Sequence, residues 1–172
     1  KAYQIKMYEL PEGKRATKGN SIMKFLSLAD DEKVTSVLAV PRSKKSDASL
    51  LMVTRRGVAK RVKVKNMSDV RRSGIIAIKL QSGDELLSVA AVLPGEEAII
   101  ATRAGQAIRF KINSIREMGR AAGGVRAIKL KIKGDVVIGL GAIGADQKQN
   151  QFLVVSDNGF GKKTALKEYK VQ

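Results

Sequence analysis

Two stretches of this chain are copies of each other. Gly105 to Leu130, GQAIRFKINSIREMGRAAGGVRAIKL, repeats Gly57 to Leu80, GVAKRVKVKNMSDVRRSGIIAIKL. In each, a glycine opens a run of alternating apolar and basic residues, an arginine-bearing polar bend follows, and another glycine leads into Ile-Lys-Leu. Gly57 and Gly105 stand 48 residues apart, and Lys79 and Lys129 stand 50 apart. Gly159, in NGFGKKTALKEY, starts the pattern again 54 residues after Gly105. A fainter copy, KGNSIMKFL, sets Lys24 five positions after Gly19, as Lys79 follows Gly74 and Lys129 follows Gly124. Periods of about 40 to 50 residues belong to blade-like units that bury their apolar faces only by stacking on one another.

Turn signals divide each period into four short strands, so the chain is predicted to be all-β, a propeller-like array of four-stranded antiparallel blades. The units fall at residues 1–49 (the end of one blade and the start of the next), 50–97, 98–151 and, in part, 152–172. Leu50–Thr54 with Val58–Val64, Ala98–Thr102 with Gln106–Ile112, and Phe152–Ser156 with Phe160–Leu166 read as hairpins. Asn158-Gly159 is a tight-turn signal in which both positions would take positive φ. Ile75–Leu80, Leu86–Val92, Val125–Leu130 and Val136–Leu140 complete the units. Ala2–Leu10 reads as a strand broken by Pro11–Gly19; repeat logic makes strands of Ile22–Leu28 and Val34–Val40, with an exposed loop over Pro41–Ser49. Ser114 and Glu117 have the spacing of a capping box for one helical turn. The chain opens on Lys1, which fits an internal piece of a longer protein.

The chain has no cysteine and no histidine, which removes thiol nucleophiles, disulfides, Cys/His zinc sites and imidazole catalysis. No apolar run is long enough for a membrane span. Carboxylate pairs at Asp30-Asp31, Asp84-Glu85 and Glu96-Glu97 sit in predicted turns, where acidic residues serve conformation. No general acid-base pair or metal site can be assembled from them. Gly139–Gly144 matches G-x-G-x-x-G, but the following Asp146–Gln151 leads into a strand rather than the helix a dinucleotide site needs. A flexible blade loop is the simpler expectation. Tyr3, Tyr8 and Tyr169 read as packing residues.

The net charge of +17 is segregated. Residues 55–80 carry nine Lys/Arg against Asp69 alone, and residues 103–133 carry nine against Glu117 alone. Period 2 sets Arg61 and Lys63 opposite Val62 and Val64, and Arg109 and Lys111 opposite Ile108, Phe110 and Ile112, so one strand face packs and the other carries cations. Basic bends at Lys14/Arg15/Lys18, Arg71/Arg72 and Arg116/Arg120 recur at one place in successive units, the footprint of a polyanion-binding surface. Aromatics are few and tryptophan is absent, which fits duplex-backbone binding better than base stacking.

YELPEGKRATKGNSI, the paired IKL units, GDELL, IREMGRAAGGVRAIKL and NGFGKKTALKEY, taken in order, resemble the C-terminal domains of bacterial DNA gyrase A proteins over essentially the whole chain. The resemblance implies a β-pinwheel, incomplete here, whose basic perimeter binds and wraps double-stranded DNA. It further implies a bacterial, cytoplasmic, nucleoid-associated type IIA topoisomerase as parent, assembled with gyrase B as a heterotetramer. That parent introduces negative supercoils using ATP and magnesium bound elsewhere, so the chain itself carries no cofactor and no catalytic residue. The family's diagnostic glutamine-arginine-glycine-rich box is not in this sequence, which leaves the paralogous C-terminal domain of topoisomerase IV as an alternative, beside a propeller-type protein-interaction module. The DNA-binding track expected is Lys14, Arg15, Lys18, Lys60, Arg61, Lys63, Arg71, Arg72, Lys79, Arg109, Lys111, Arg116, Arg120, Arg126, Lys129, Lys162 and Lys163. It requires Arg61, Arg72, Arg109 and Arg120 to share a side and to stay clear of carboxylates.

Overall fold

The turn glycines produce three near-identical hairpins. In the computed structural model, which describes residues 1–29, 31–40, 47–67, 70–71, 73–147 and 149–172, β1 (Ser49–Thr54) turns into β2 (Val58–Lys63). β3 is Leu86–Val92, and β4 (Glu97–Thr102) turns into β5 (Ala107–Lys111). β6 is Val125–Arg126, β7 is Val137–Ile143, and β8 (Gln151–Val155) turns into β9 (Gly161–Ala165). The amides of Gly57, Gly105 and Gly159 donate to the carbonyls of Thr54, Thr102 and Ser156 at 3.1, 3.0 and 2.9 Å. The hydroxyls of the same three residues accept from Val58, Gln106 and Phe160, each at 3.2 Å. Each loop thus has three residues, and only its glycine takes positive φ, at 83°, 79° and 81°. Asn158 does not adopt the left-handed conformation expected of a two-residue turn; with one more residue in the loop, glycine alone meets the steric demand.

Two Gly-Asp turns brace two of these hairpins. Asp84 Oδ1 accepts from the amides of Arg56 (3.1 Å) and Glu85 (2.8 Å), and Asp135 Oδ1 from those of Ala104 and Val136, both at 2.9 Å. Burial opposes ionisation of Asp135, but the Ala104 amide, the Thr102 hydroxyl, the Val136 amide and the Arg103 charge together outweigh it and hold its pKa below the usual carboxylate value. The conformational role expected of the turn acid at 84 is therefore concrete.

β3 returns antiparallel to β1 and β7 to β4, with Ser49 opposite Val92 and Glu97 opposite Ile143. β6 then crosses from the second repeat to the first: Val58 faces Arg126 and Ala59 faces Val125. The sheets are ordered β3-β1-β2-β6, β5-β4-β7 and β8-β9. The fourth strand of the first blade is thus supplied by the next repeat, not by its own. Gly124 permits the exchange, since it has φ 99° and a Cβ there would lie 2.7 Å from the Ala59 carbonyl oxygen. The preceding copy repeats the arrangement, with Ile75 bridging Ala2 and Gly74 (φ 75°) lying against the Tyr3 ring.

Exchange shortens several expected strands, because a strand exists only where a neighbour completes its ladder. Val125–Leu130 keeps two ladder residues, and Ile75–Leu80 and Ala2–Leu10 keep only their mutual bridge. Met7–Glu9 and Ile22–Lys24 are single 3-10 turns rather than strands. Residues 34–40 form no ladder and meet the first sheet through the Ser36 hydroxyl, which accepts from the Val89 amide at 3.1 Å. Of the loop expected over Pro41–Ser49, residues 41–46 lie outside the described set, and Ser49 already belongs to β1. Ser114 ends a 3-10 turn, Ile112–Ser114, and its hydroxyl donates to the Lys111 carbonyl at 2.7 Å; it is not an N-cap. Gly139 lies in β7 opposite Ala101, within the strand expected over Val136–Leu140, and β7 runs on through Gly141, opposite Ile99, where a loop was the simpler expectation. A Cβ at Gly141 would come within 3.1 Å of Ile99, so close packing of the sheet accounts for that glycine.

The sheets stack in chain order. Leu51, Val53 and Val92 pack with Ala98, Ile100, Phe110 and Val137 to join the first sheet to the second. Met52 and Val62 use the first sheet's other face, against Met67, Ala77 and Ile78. Ile99 and Ile143 pack with Leu166, Phe152 and Tyr169 toward the third hairpin, where Phe152 and Tyr169 meet edge-on at 5.8 Å. β1 and β4 are therefore buried on both faces, which their unbroken apolar runs, LLMV and AIIA, allow. Each fully buried Leu, Ile or Val is worth about 1.5–3 kcal/mol, so the interfaces between repeats carry much of the stability.

Candidate nucleic-acid interface

Strand exchange is what assembles the basic surface. The Met118 amide donates to the Arg61 carbonyl at 2.9 Å, and the Lys79 amide to the Ala122 carbonyl at 3.2 Å. The second repeat's basic bend is thereby laid along β2 and beside the first repeat's bend. Between them runs a groove of about 770 Å³, lined by Lys65, Asn66, Arg71, Gly74, Gly119 and Arg120. Arg71 and Arg120 are both exposed, and among the described residues no carboxylate lines this groove. Three cations from two repeats so converge on one concave, solvent-open surface.

Of the expected track, Lys14, Arg15, Lys18, Arg71, Lys79, Lys111, Arg116, Arg120, Arg126, Lys129, Lys162 and Lys163 are exposed. Lys18 lines a smaller groove of about 220 Å³ with Glu12, Thr17 and Phe25. Arg61 and Lys63 are half-buried; Arg61 Nη1 donates to Asn113 Oδ1 at 2.9 Å, and Lys63 pairs with Glu117 at 3.4 Å. Such a part-exposed ion pair contributes little to stability. Arg72 lies outside the described residues. Lys65 was absent from the expected track although it extends the every-second-residue series Arg61, Lys63, which was the signal for it.

Two expected members are inside the protein. Lys60 is 0% exposed, and its Nζ donates to the carbonyls of Ala77, at 2.6 Å, and Arg120. Arg109 is 6% exposed; Nε and Nη2 meet Glu97 Oε2 at 2.8 and 2.6 Å, and Nη1 donates to the carbonyls of Leu166 (2.6 Å) and Tyr169 (3.3 Å). The condition that Arg109 stay clear of carboxylates is not met, because its strand face meets the next repeat rather than solvent. Lys60 has the same explanation on the opposite face, where it shares the buried side of Val62 and Val64. Both cations satisfy carbonyls at seams between repeats.

Burial pushes the Lys60 ammonium down to about 8. Below that pH the folded chain bears the cost of a dry charge. Between about 8 and the unfolded value of 10.5 the unfolded chain binds more protons, so stability rises with pH, by up to about 1.4 kcal/mol per pH unit. The melting temperature should therefore climb more steeply from pH 8 to 10 in the native chain than in Lys60→Met. Parallel profiles would show that Lys60 titrates at its ordinary value.

Among the described residues no group of three or more His, Cys, Asp or Glu could hold a metal ion, and no helix is long and apolar enough to cross a membrane.

A sequence model of the family described as DNA gyrase C-terminal domain, beta-propeller, matches residues 1–41, 48–92, 96–143 and 150–172. The DNA gyrase A protein of Staphylococcus epidermidis is 34% identical over 171 residues, and that of Staphylococcus aureus 36%. Each match covers 99% of this chain, which spans 19% of the length of those curated relatives. Among solved structures, the C-terminal domain of DNA topoisomerase IV superposes with a TM-score of 0.84 at 25% identity, over 96% of this chain and 50% of that one. The DNA gyrase A C-terminal domain superposes with 0.74 at 25% identity, over 99% and 53%.

Proposed function

Because the chain belongs to the family of DNA gyrase C-terminal domains, we propose that it binds duplex DNA through its phosphates and bends it along the exposed cations at the seams between repeats. The observation that carries this is the groove where Lys65, Arg71 and Arg120 converge from two repeats with no acid among its described lining residues. Lys14, Arg15, Lys18, Lys63, Lys79, Lys111, Arg116, Arg126, Lys129, Lys162 and Lys163 extend the track, and Arg61 joins it from a half-buried position. Lys60 and Arg109 support it from within. Bending 20 to 30 base pairs by 40 to 90 degrees costs about 1–6 kcal/mol, so several such contacts must act together. Catalysis, with ATP and magnesium, belongs to other parts of the parent and to its gyrase B partner in the bacterial cytoplasm.

Duplex affinity measured between 50 and 200 mM salt should fall with a log-log slope of about −0.9 per neutralised phosphate, and alike for unrelated sequences. A flat dependence would remove the proposal. A second reading, in which the same exposed cations bind DNA without wrapping it, rests on the same groove. Closing nicked plasmid in the presence of the chain separates the two: wrapping shifts the linking number, and binding alone leaves it unchanged.

A further inference from the structure

Each hairpin carries a cation four residues after its turn glycine: Arg61, Arg109 and Lys163. Diagonal to it across the hairpin, the incoming strand begins with Ser49, Glu97 or Gln151, which pair directly with Lys63, Lys111 and Ala165. Diagonal neighbours on one sheet face lie within reach of long side chains. Where that residue is glutamate, the cation is captured: Arg109 closes on Glu97 and on two carbonyls of the next repeat. Where it is serine, no carboxylate among the described residues holds Arg61. Its Nη1 meets the neutral Asn113 amide, its Nε has no hydrogen-bond partner among those residues, and the Glu117 carboxylate pairs with Lys63 instead.

We propose that the first residue of the incoming strand, position 49, 97 or 151, selects whether its hairpin's cation serves the fold or the polyanion. An acid there withdraws the cation into the seam between repeats, and a neutral residue leaves its charge uncompensated at the rim. Arg61 then acts on DNA, whereas Arg109 does not. This rests on the duplex-binding reading above.

The test is the salt dependence of duplex binding by the 172-residue chain and its variants. Arg61→Gln should shrink the slope by about 0.9, whereas Arg109→Gln should leave it unchanged while lowering the melting temperature. Ser49→Glu should reproduce the loss seen in Arg61→Gln, add nothing in the Arg61→Gln background, and differ from Ser49→Gln, which keeps the native slope. Equal slope losses in Arg61→Gln and Arg109→Gln, or additive losses in the double variant, would overturn the selector while leaving duplex binding intact. A flat slope in the native chain would sink both. If Ser49→Glu does not fold, the two arginine variants decide; if Arg109→Gln does not fold, the position 49 pair decides.

Discussion

Reversing Arg71 and Arg120 together to glutamate is expected to lower duplex affinity about 100-fold near 0.1 M salt. A hydrogen bond to a charged group is worth about 1.5 kcal/mol or more, and two such contacts are lost and replaced by repulsion. The two residues come from different repeats yet line one groove, so their effects should couple, and each single reversal should cost more than half of the pair's total. The loss should be the same on unrelated sequences, because backbone contacts carry no base information. Lys131→Glu/Lys133→Glu is the control: it makes the same change in net charge on exposed residues outside the groove, where screening at about 8–10 Å limits the reach of charge. Equal losses in the two double variants would mean that net charge, rather than the groove, drives binding.

The largest loss of stability is expected from Glu97→Ala, at about 3–5 kcal/mol, because it strands the Arg109 guanidinium without its counter-charge in a site that excludes water. Glu97→Ala/Arg109→Met should recover much of that loss, since removing both charges also removes their desolvation cost. Recovery should stay incomplete: the Leu166 and Tyr169 carbonyls, which now accept from Arg109, would lose their donor. Urea unfolding of the single and double variants measures this directly. A Glu97→Ala chain of native stability would mean that Arg109 can turn out to solvent, and would return it to the candidate binding residues.

Only one half of a hairpin's chemistry can be read from one strand at a time. Alternation along Val58–Val64 already puts Lys60 in phase with Val62 and Val64, so its burial was available from the sequence, yet a lysine among basic neighbours reads as surface. The fate of Arg109 needs both strands: only the register that sets Glu97 opposite Lys111 brings the acid diagonal to Arg109. Arg61 occupies the equivalent site with Ser49 across from it and fares differently, although the two repeats look alike along the chain. The short strands after Gly74 and Gly124 were missed in extent for a related reason, as their ladders are completed by a neighbouring repeat.

Repetition, alternation and turn glycines, all local properties, were enough to determine an all-β chain of hairpins and the recurrence of its basic bends. Which repeat lends its strand to which sheet, and therefore which cations meet in a groove and which are enclosed, was decided by packing between units. Each sheet face must be covered by whatever lies next to it in space, and a charge on that face is kept only if carbonyls or a carboxylate wait there to receive it.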